Sequence, residues 1–293
     1  MPAAADDDGF VLVAGKRRKN RHGPRARPVT VRTTRLGTHA DADATLADLE
    51  SDFHRCSKQL NAQAAFCSSA VSCVDAWLSQ RRRSTATPAF TEIVCYGIGR
   101  IAASAVSMHQ LAFLHFLREH FACAQQVQVF DPVLGVSERQ FLRRHAFAVA
   151  ECNDAACKRV PAGATANNYL FFMPHCGRPL YNNLLWANFT PDQLDSLLII
   201  GNRLRAMEIV PKQQGECELS YLCSFREHLL HECSVPVYEP CETAFNDIGV
   251  LAYNGRRRHD TAGFWQRSAT PPQYTLFADE YHRAGSAVHT SFS

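Results

Sequence analysis

The densest gathering of chemically capable side chains is PHCGRPLYNNLLWAN, residues 174–188. His175 has the side chain of a general base or a metal ligand, and Cys176 beside it is a nucleophile wherever its pKa is lowered. Neighbours on an extended segment point to opposite sides, so these two do not form a dyad with each other. Tyr181, Asn182, Asn183, Trp186 and Asn188 follow. Their structural use is equally definite: His175 bonded to loop backbone, Cys176 packed, and the asparagines capping a helix. A second gathering is CYGIGRIAAS, residues 95–104. Gly97-Ile98-Gly99-Arg100-Ile101-Ala102 has the Gly-x-Gly-x-x-Ala form of the dinucleotide fingerprint, in which a tight turn lets a phosphate approach the backbone. Asp131 ends the next apolar stretch, where an acid takes a ribose hydroxyl, but it comes 34 residues after Gly97. The usual spacing is about 20. The same glycines serve equally as a packing turn. A third gathering is Cys217, Cys223, His228, His231 and Cys233. It has neither Cys-x-x-Cys nor zinc-finger spacing, so no metal centre is expected. The sequence contains no P-loop, Gly-x-Ser-x-Gly elbow or His-Glu-x-x-His pair.

These residues need a frame. EIVCYG, VQVF (127–130), FAVAE (147–151), YLFFMP (169–174) and SLLIIGN (196–202) are short, continuously apolar runs of the kind buried on both faces of a parallel sheet. Between them the apolar spacing turns helical, first over 100–121, where Ile101, Ala105, Met108, Ala112 and Phe116 form a stripe. Alternation of this kind predicts an α/β domain with a doubly wound, mostly parallel, Rossmann-like sheet. Ligands of such sheets bind beyond the carboxyl ends of the strands. That rule selects Gly97, Gly99, Arg100, Asp131, Pro174, His175, Cys176, Gly201 and Asn202 as one candidate rim. A helix around 221–231 and an additional edge strand in FNDIGVLAYN complete the expected domain.

Outside this domain, residues 41–84 carry Leu46, Leu49, Phe53, Cys56 and Leu60, then Phe66, Ala70, Val74 and Trp77, at spacings of three and four. They predict an N-terminal helical extension. Residues 1–40 hold KRRKNRHGPRARP, a self-repelling run expected to be disordered and suited to nuclear import or nucleic-acid contact. Residues 256–293 lack periodicity and are expected to be a mostly disordered tail. The net charge of +3 rules out the whole chain as a polyelectrolyte, which confines any nucleic-acid contact to the basic tail. No apolar run reaches the roughly 20 residues of a membrane span. The twelve cysteines read as mostly free thiols of a cytoplasmic, and also nuclear, protein.

Taken together, YGIGRIAAS, QLAFLHFL, VFDPVLGVSERQFL, FFMPHCGRPLYNNLLWANF and LLIIGN resemble the "sensitivity to red light reduced" (SRR-like) family over residues 90–254, within an α/β domain expected at 85–255. AFNDIGVLAYN is a weaker match, departing from the family's more polar version at Val250 and Leu251. Gly97, Gly99, Asp131, Pro132, Pro174, His175, Cys176, Asn182, Asn183, Leu185, Asn188, Gly201 and Asn202 fall on the motif positions. The resemblance implies a regulatory protein working with protein partners, in circadian rhythm and clock-gene expression and in heme biosynthesis. It carries over no catalytic residue and no particular cofactor. The alternative is an uncharacterised enzyme, methyltransferase-like or dinucleotide-dependent, using the rim at Gly97, Asp131 and His175 for a small-molecule or nucleotide ligand.

Overall fold

A computed structural model describes residues 44–81, 89–162, 167–208, 218–255 and 263–283. The basic segment at 1–40 and residues 82–88 lie outside the described residues. Seven strands form one sheet in the order β3-β2-β1-β4-β5-β7-β6. They are β1 (Glu92–Tyr96), β2 (Gln128–Phe130), β3 (Ala148–Val149), β4 (Tyr169–Met173), β5 (Leu197–Asn202), β6 (Leu230–Ser234) and β7 (Ile248–Tyr253). The first five pair in parallel. The last two are antiparallel additions beside β5. The doubly wound, mostly parallel sheet expected from the apolar runs is therefore present.

Alternation along each strand builds two cores. Ile93 and Cys95 of β1, Leu170 and Phe172 of β4, and Leu198 and Ile200 of β5 face one side. Val94, Tyr96, Phe171, Met173 and Ile199 face the other. The first side is covered by α3 (Ala105–Phe121), on which α1 (Leu46–Asn61) packs, with α2 (Ala64–Gln80) and α4 (Val136–Arg144) alongside. Every residue of α3 from Ser107 to Leu114 is consequently buried, which is why this helix lacks a polar face. The second side is covered by α5 (Arg178–Ala187), α6 (Pro191–Asp195) and α7 (Ser220–Ser224).

Four local expectations are corrected. The helix after β1 starts at Ala105 rather than Arg100, because Ser104 accepts the Ser107 N–H as N-cap and Gly97 and Gly99 hold φ of +71° and +75°. The helix expected over 221–231 is α7 plus a π-helical turn that ends at Leu229, and the chain then enters β6. FNDIGVLAYN is an interior strand, since β6 takes the edge. That position explains why Val250 and Leu251 are apolar: both are buried. Finally, residues 263–283 of the expected disordered tail are packed against the domain and end in α9 (Ala278–Arg283), because Phe277 supplies a buried apolar anchor there. Among the cysteines, Cys73 of α2 and Cys233 of β6 are joined in a disulfide, while the other nine described cysteines are free thiols.

Candidate functional site

The rim is built where β1, β2, β4 and β5 end. After β1, the Gly97 N–H donates to the Phe130 carbonyl at the end of β2. The Gly99 N–H donates to Asp131 Oδ2 at 2.7 Å, and the other Asp131 oxygen accepts from the Val133 N–H at 3.0 Å. One turn further, the Ala102 N–H donates to Glu138 Oε1 at 2.8 Å. Glu138, only 1% exposed, also accepts from the Gly135 N–H at 2.5 Å and pairs with Arg100 at 3.0 Å. Two of the backbone donors that would cradle a phosphate are thus already taken by carboxylates of the chain itself. Desolvation raises the Asp131 carboxyl above the usual range even though two N–H groups favour its ionised form.

At the end of β4, Pro174 is buried and His175 holds a φ of +56°. His175 N–H donates to Asn202 Oδ1 at 2.6 Å, and Asn202 Nδ2 donates to the Cys176 carbonyl at 3.1 Å. One asparagine from β5 therefore clamps the turn on both sides. The His175 ring turns toward α8 (Glu242–Phe245), where Nε2–H donates to the Ala244 carbonyl at 3.2 Å. Desolvation against that backbone lowers its pKa, while the outer surface of the residue remains open to solvent. Cys176 points into the core instead; the two side chains diverge as expected, though at a turn in which His175 is left-handed rather than on extended chain. Its thiol donates to the Tyr96 carbonyl at 3.3 Å and fills the space beside Gly97, where a Cβ would come within 2.7 Å of Sγ. Burial pushes this thiol far above the range in which a thiolate exists at neutral pH.

Gly201 is dictated by the same packing. The Tyr181 hydroxyl donates to the Met173 carbonyl at 2.5 Å and accepts from the Asn202 N–H at 2.7 Å, occupying the place of a Cβ on Gly201. The asparagines of α5 tie down neighbouring segments. Asn183 donates to the Ala155 carbonyl; Asn188, with no exposed surface, donates to Lys158 and Leu184 and accepts from the Val160 N–H. Pro132 lies in the turn that opens at Asp131. Gly97, Gly99, Arg100, Asp131, His175, Cys176, Gly201 and Asn202 are therefore brought together, as one internally bonded rim.

Matching this chain to known families, the model of the SRR1 domain covers residues 56–252. The chain belongs to the SRR1 domain family. The matched stretch begins inside α1, so it takes in α2 as well as the sheet. An SRR1-like protein of Mus musculus is 32% identical over 235 residues, which is 70% of this chain and 89% of the relative. An SRR1-like protein of Drosophila melanogaster is 26% identical over 60% of this chain and 61% of its own. The Arabidopsis thaliana protein "SENSITIVITY TO RED LIGHT REDUCED 1" is 35% identical over 40% of this chain and 41% of its own. No solved structure matches.

Other candidates separate. His228 lies in the π-helical turn and His231 in β6, and Cys217 lies outside the described residues. Among the described residues no group of three His, Cys, Asp or Glu side chains converges as a metal site would require. Two residues escaped the sequence reading, Glu138 at the rim and Arg178 at the start of α5. Glu138 had a usable signal, standing three residues into a helix after Gly135, where a glutamate reaches back to the helix start. Arg178 had none, because its partner Glu280 lies 102 residues away.

Proposed function

We propose that this chain is a non-catalytic regulatory protein that acts through protein partners, in circadian rhythm and clock-gene expression and in the control of heme biosynthesis, in the cytoplasm and also the nucleus. Family membership supports the regulatory reading, and the red-light name of the plant relative supports a signalling role. The observation that carries the non-catalytic part is the internal use of the rim. Asp131 and Glu138 occupy the loop N–H groups, the Cys176 thiol is held in its protonated form, and the His175 ring is bonded to Ala244. One observation favours a Rossmann-like enzyme instead: His175 keeps its positive φ at a strand's carboxyl end, where strained residues gather at functional sites.

A thermal-shift screen against S-adenosylmethionine, NAD(P)H, nucleotides and heme distinguishes the two. The regulatory reading expects no stabilisation by any of them; a stabilisation abolished by Asp131→Ala would favour the enzyme. Proximity labelling in cells tests the pathway, and recovery of no clock or heme-pathway protein would count against it. Deleting residues 16–27 tests nuclear access through the change in distribution.

A further inference from the structure

Residues 263–283 fold back along α5, although they add no strand to the sheet. The α5 surface they cover is a stripe of residues four apart: Arg178, Asn182 and Trp186. Each is met by a side chain or carbonyl of the returning segment. The Arg178 guanidinium pairs with the Glu280 carboxylate, and the Arg178 N–H donates to Glu280 Oε2 at 3.1 Å. The same guanidinium lies 4.6 Å from the centre of the Phe277 ring. The Tyr274 hydroxyl accepts from Asn182 Nδ2 at 2.9 Å and donates to Asn183 Oδ1 at 2.6 Å. Trp186 Nε1–H donates to the Ser268 carbonyl at 3.1 Å. On the far side Glu218 accepts the N–H groups of Thr275 and Leu276.

These contacts have the form of peptide recognition rather than of a core. A bidentate arginine–carboxylate pair and two aromatic anchors at regular spacing are what hot spots of binding consist of. Of the segment's residues whose burial is described, Phe277 alone is buried; the others are half-buried or exposed, and Leu276 is 81% exposed. The helix α9 has six residues, too few to hold itself together without its contacts. Phe264 and Trp265 pack on Phe189 and belong to the core, whereas release of Tyr274–Glu280 alone takes only Phe277 and the half-buried Tyr274 ring from the apolar face, while it uncovers the arginine and the asparagine of the stripe.

We propose that the α5 face is a docking groove for a protein partner presenting an aromatic-x-x-aromatic-x-x-acidic segment, and that Tyr274–Glu280 is its resident, displaceable occupant. The inference is independent of the circadian and heme assignment, because it rests on these contacts alone. The partner competes with the chain's own segment, so binding is held back until that segment yields.

The test uses the full chain carrying Phe277→Ala and Glu280→Ala, with a fluorescein-labelled peptide of residues 268–283 as probe. Anisotropy should show the loosened chain binding the peptide at least tenfold more tightly than the unaltered chain does. Adding Arg178→Glu should abolish that binding, and a peptide with Glu280→Arg should restore part of it. Circular dichroism and urea unfolding establish that each variant is folded. As a second measurement that leaves the packed residues unaltered, a protease site is placed between residues 269 and 273, in the half-buried to exposed loop ahead of Tyr274, and cut in the folded protein. The freed segment should then dissociate on dilution and exchange with labelled peptide. Equal peptide binding by loosened and unaltered chains, or a cut segment that never exchanges, would overturn the proposal. A segment-swapped dimer on gel filtration would overturn it too, because the occupant would then be a second copy.

Discussion

Acidification should unfold this protein through His109 in particular. The residue lies on α3 with 3% of its surface exposed, and its Nδ1 accepts the Tyr238 hydroxyl at 2.9 Å. Only the unprotonated ring can accept that bond. Desolvation, with a smaller contribution from the positive Arg55 nearby, lowers its pKa from 6.5 to about 4. A folded-state pKa below the unfolded value means that the unfolded chain binds the extra proton. Stability from this residue is therefore complete above pH 6.5 and is lost as the pH falls toward 4. With about 1.4 kcal/mol per pH unit over that interval, the loss is about 2 kcal/mol at pH 5 and about 3 kcal/mol at pH 4. Asp131 and Asp154 act in the opposite direction, because desolvation raises both their carboxyls and favours the fold as they protonate. The comparison must therefore be between variants rather than with a baseline. His109→Gln keeps an acceptor for Tyr238 and removes the titration. Urea unfolding of both proteins from pH 7.5 to pH 4 should give parallel stability curves above pH 7 and a gap that closes by about 2–3 kcal/mol on the acid side. Acid slopes that coincide throughout would refute the assignment of His109 as a buried neutral acceptor.

Three further outcomes follow from the rim and the disulfide. Gly201→Ala should destabilise by about 1–3 kcal/mol through the collision with the Tyr181 hydroxyl. The double variant with Tyr181→Phe should lose less than the sum of the single losses in urea unfolding, and strict additivity would contradict the collision. Alkylation by iodoacetamide, followed by mass spectrometry, should modify exposed Cys152 first and reach Cys95 and Cys176 only on global unfolding. Rapid native modification of Cys176 would show that the rim opens. Reducing the Cys73–Cys233 disulfide removes a constraint across 160 residues, which chain-entropy arithmetic values at no more than about 5 kcal/mol. The urea midpoint should fall in reductant, and the Cys73→Ser/Cys233→Ser protein should be insensitive to it.

What the sequence made legible follows from how local each cause is. The strands EIVCY, YLFFM and LLIIGN are legible because burial on both faces leaves no polar position, a property each segment carries by itself. Neither β6 nor the segment after Tyr253 is legible, because β6 owes its edge position to pairing with β7 and the 263–283 segment owes its order to side chains on α5. A segment anchored by one buried phenylalanine has no periodicity to read. The rim shows the same division within a single motif. Gly97 and Gly99 signal a positive φ and a close approach, and both are there. What approaches is not in the motif. Here it is the Cys176 sulfur beside Gly97 and the Asp131 carboxylate on the Gly99 N–H, so a turn spelled like a phosphate cradle closes on groups brought from two other strands. The late position of Asp131 is part of that outcome, since a carboxylate bonded to the glycine loop itself need not stand where a ribose would lie. The Gly99 and Ala102 N–H groups that a phosphate would use are held by Asp131 and Glu138. Gly97, Gly99, Asp131, Cys176 and Asn202 are therefore the motif residues that close the turns at the strand ends, whereas Asn182, another motif residue, sits on α5 under the returning segment.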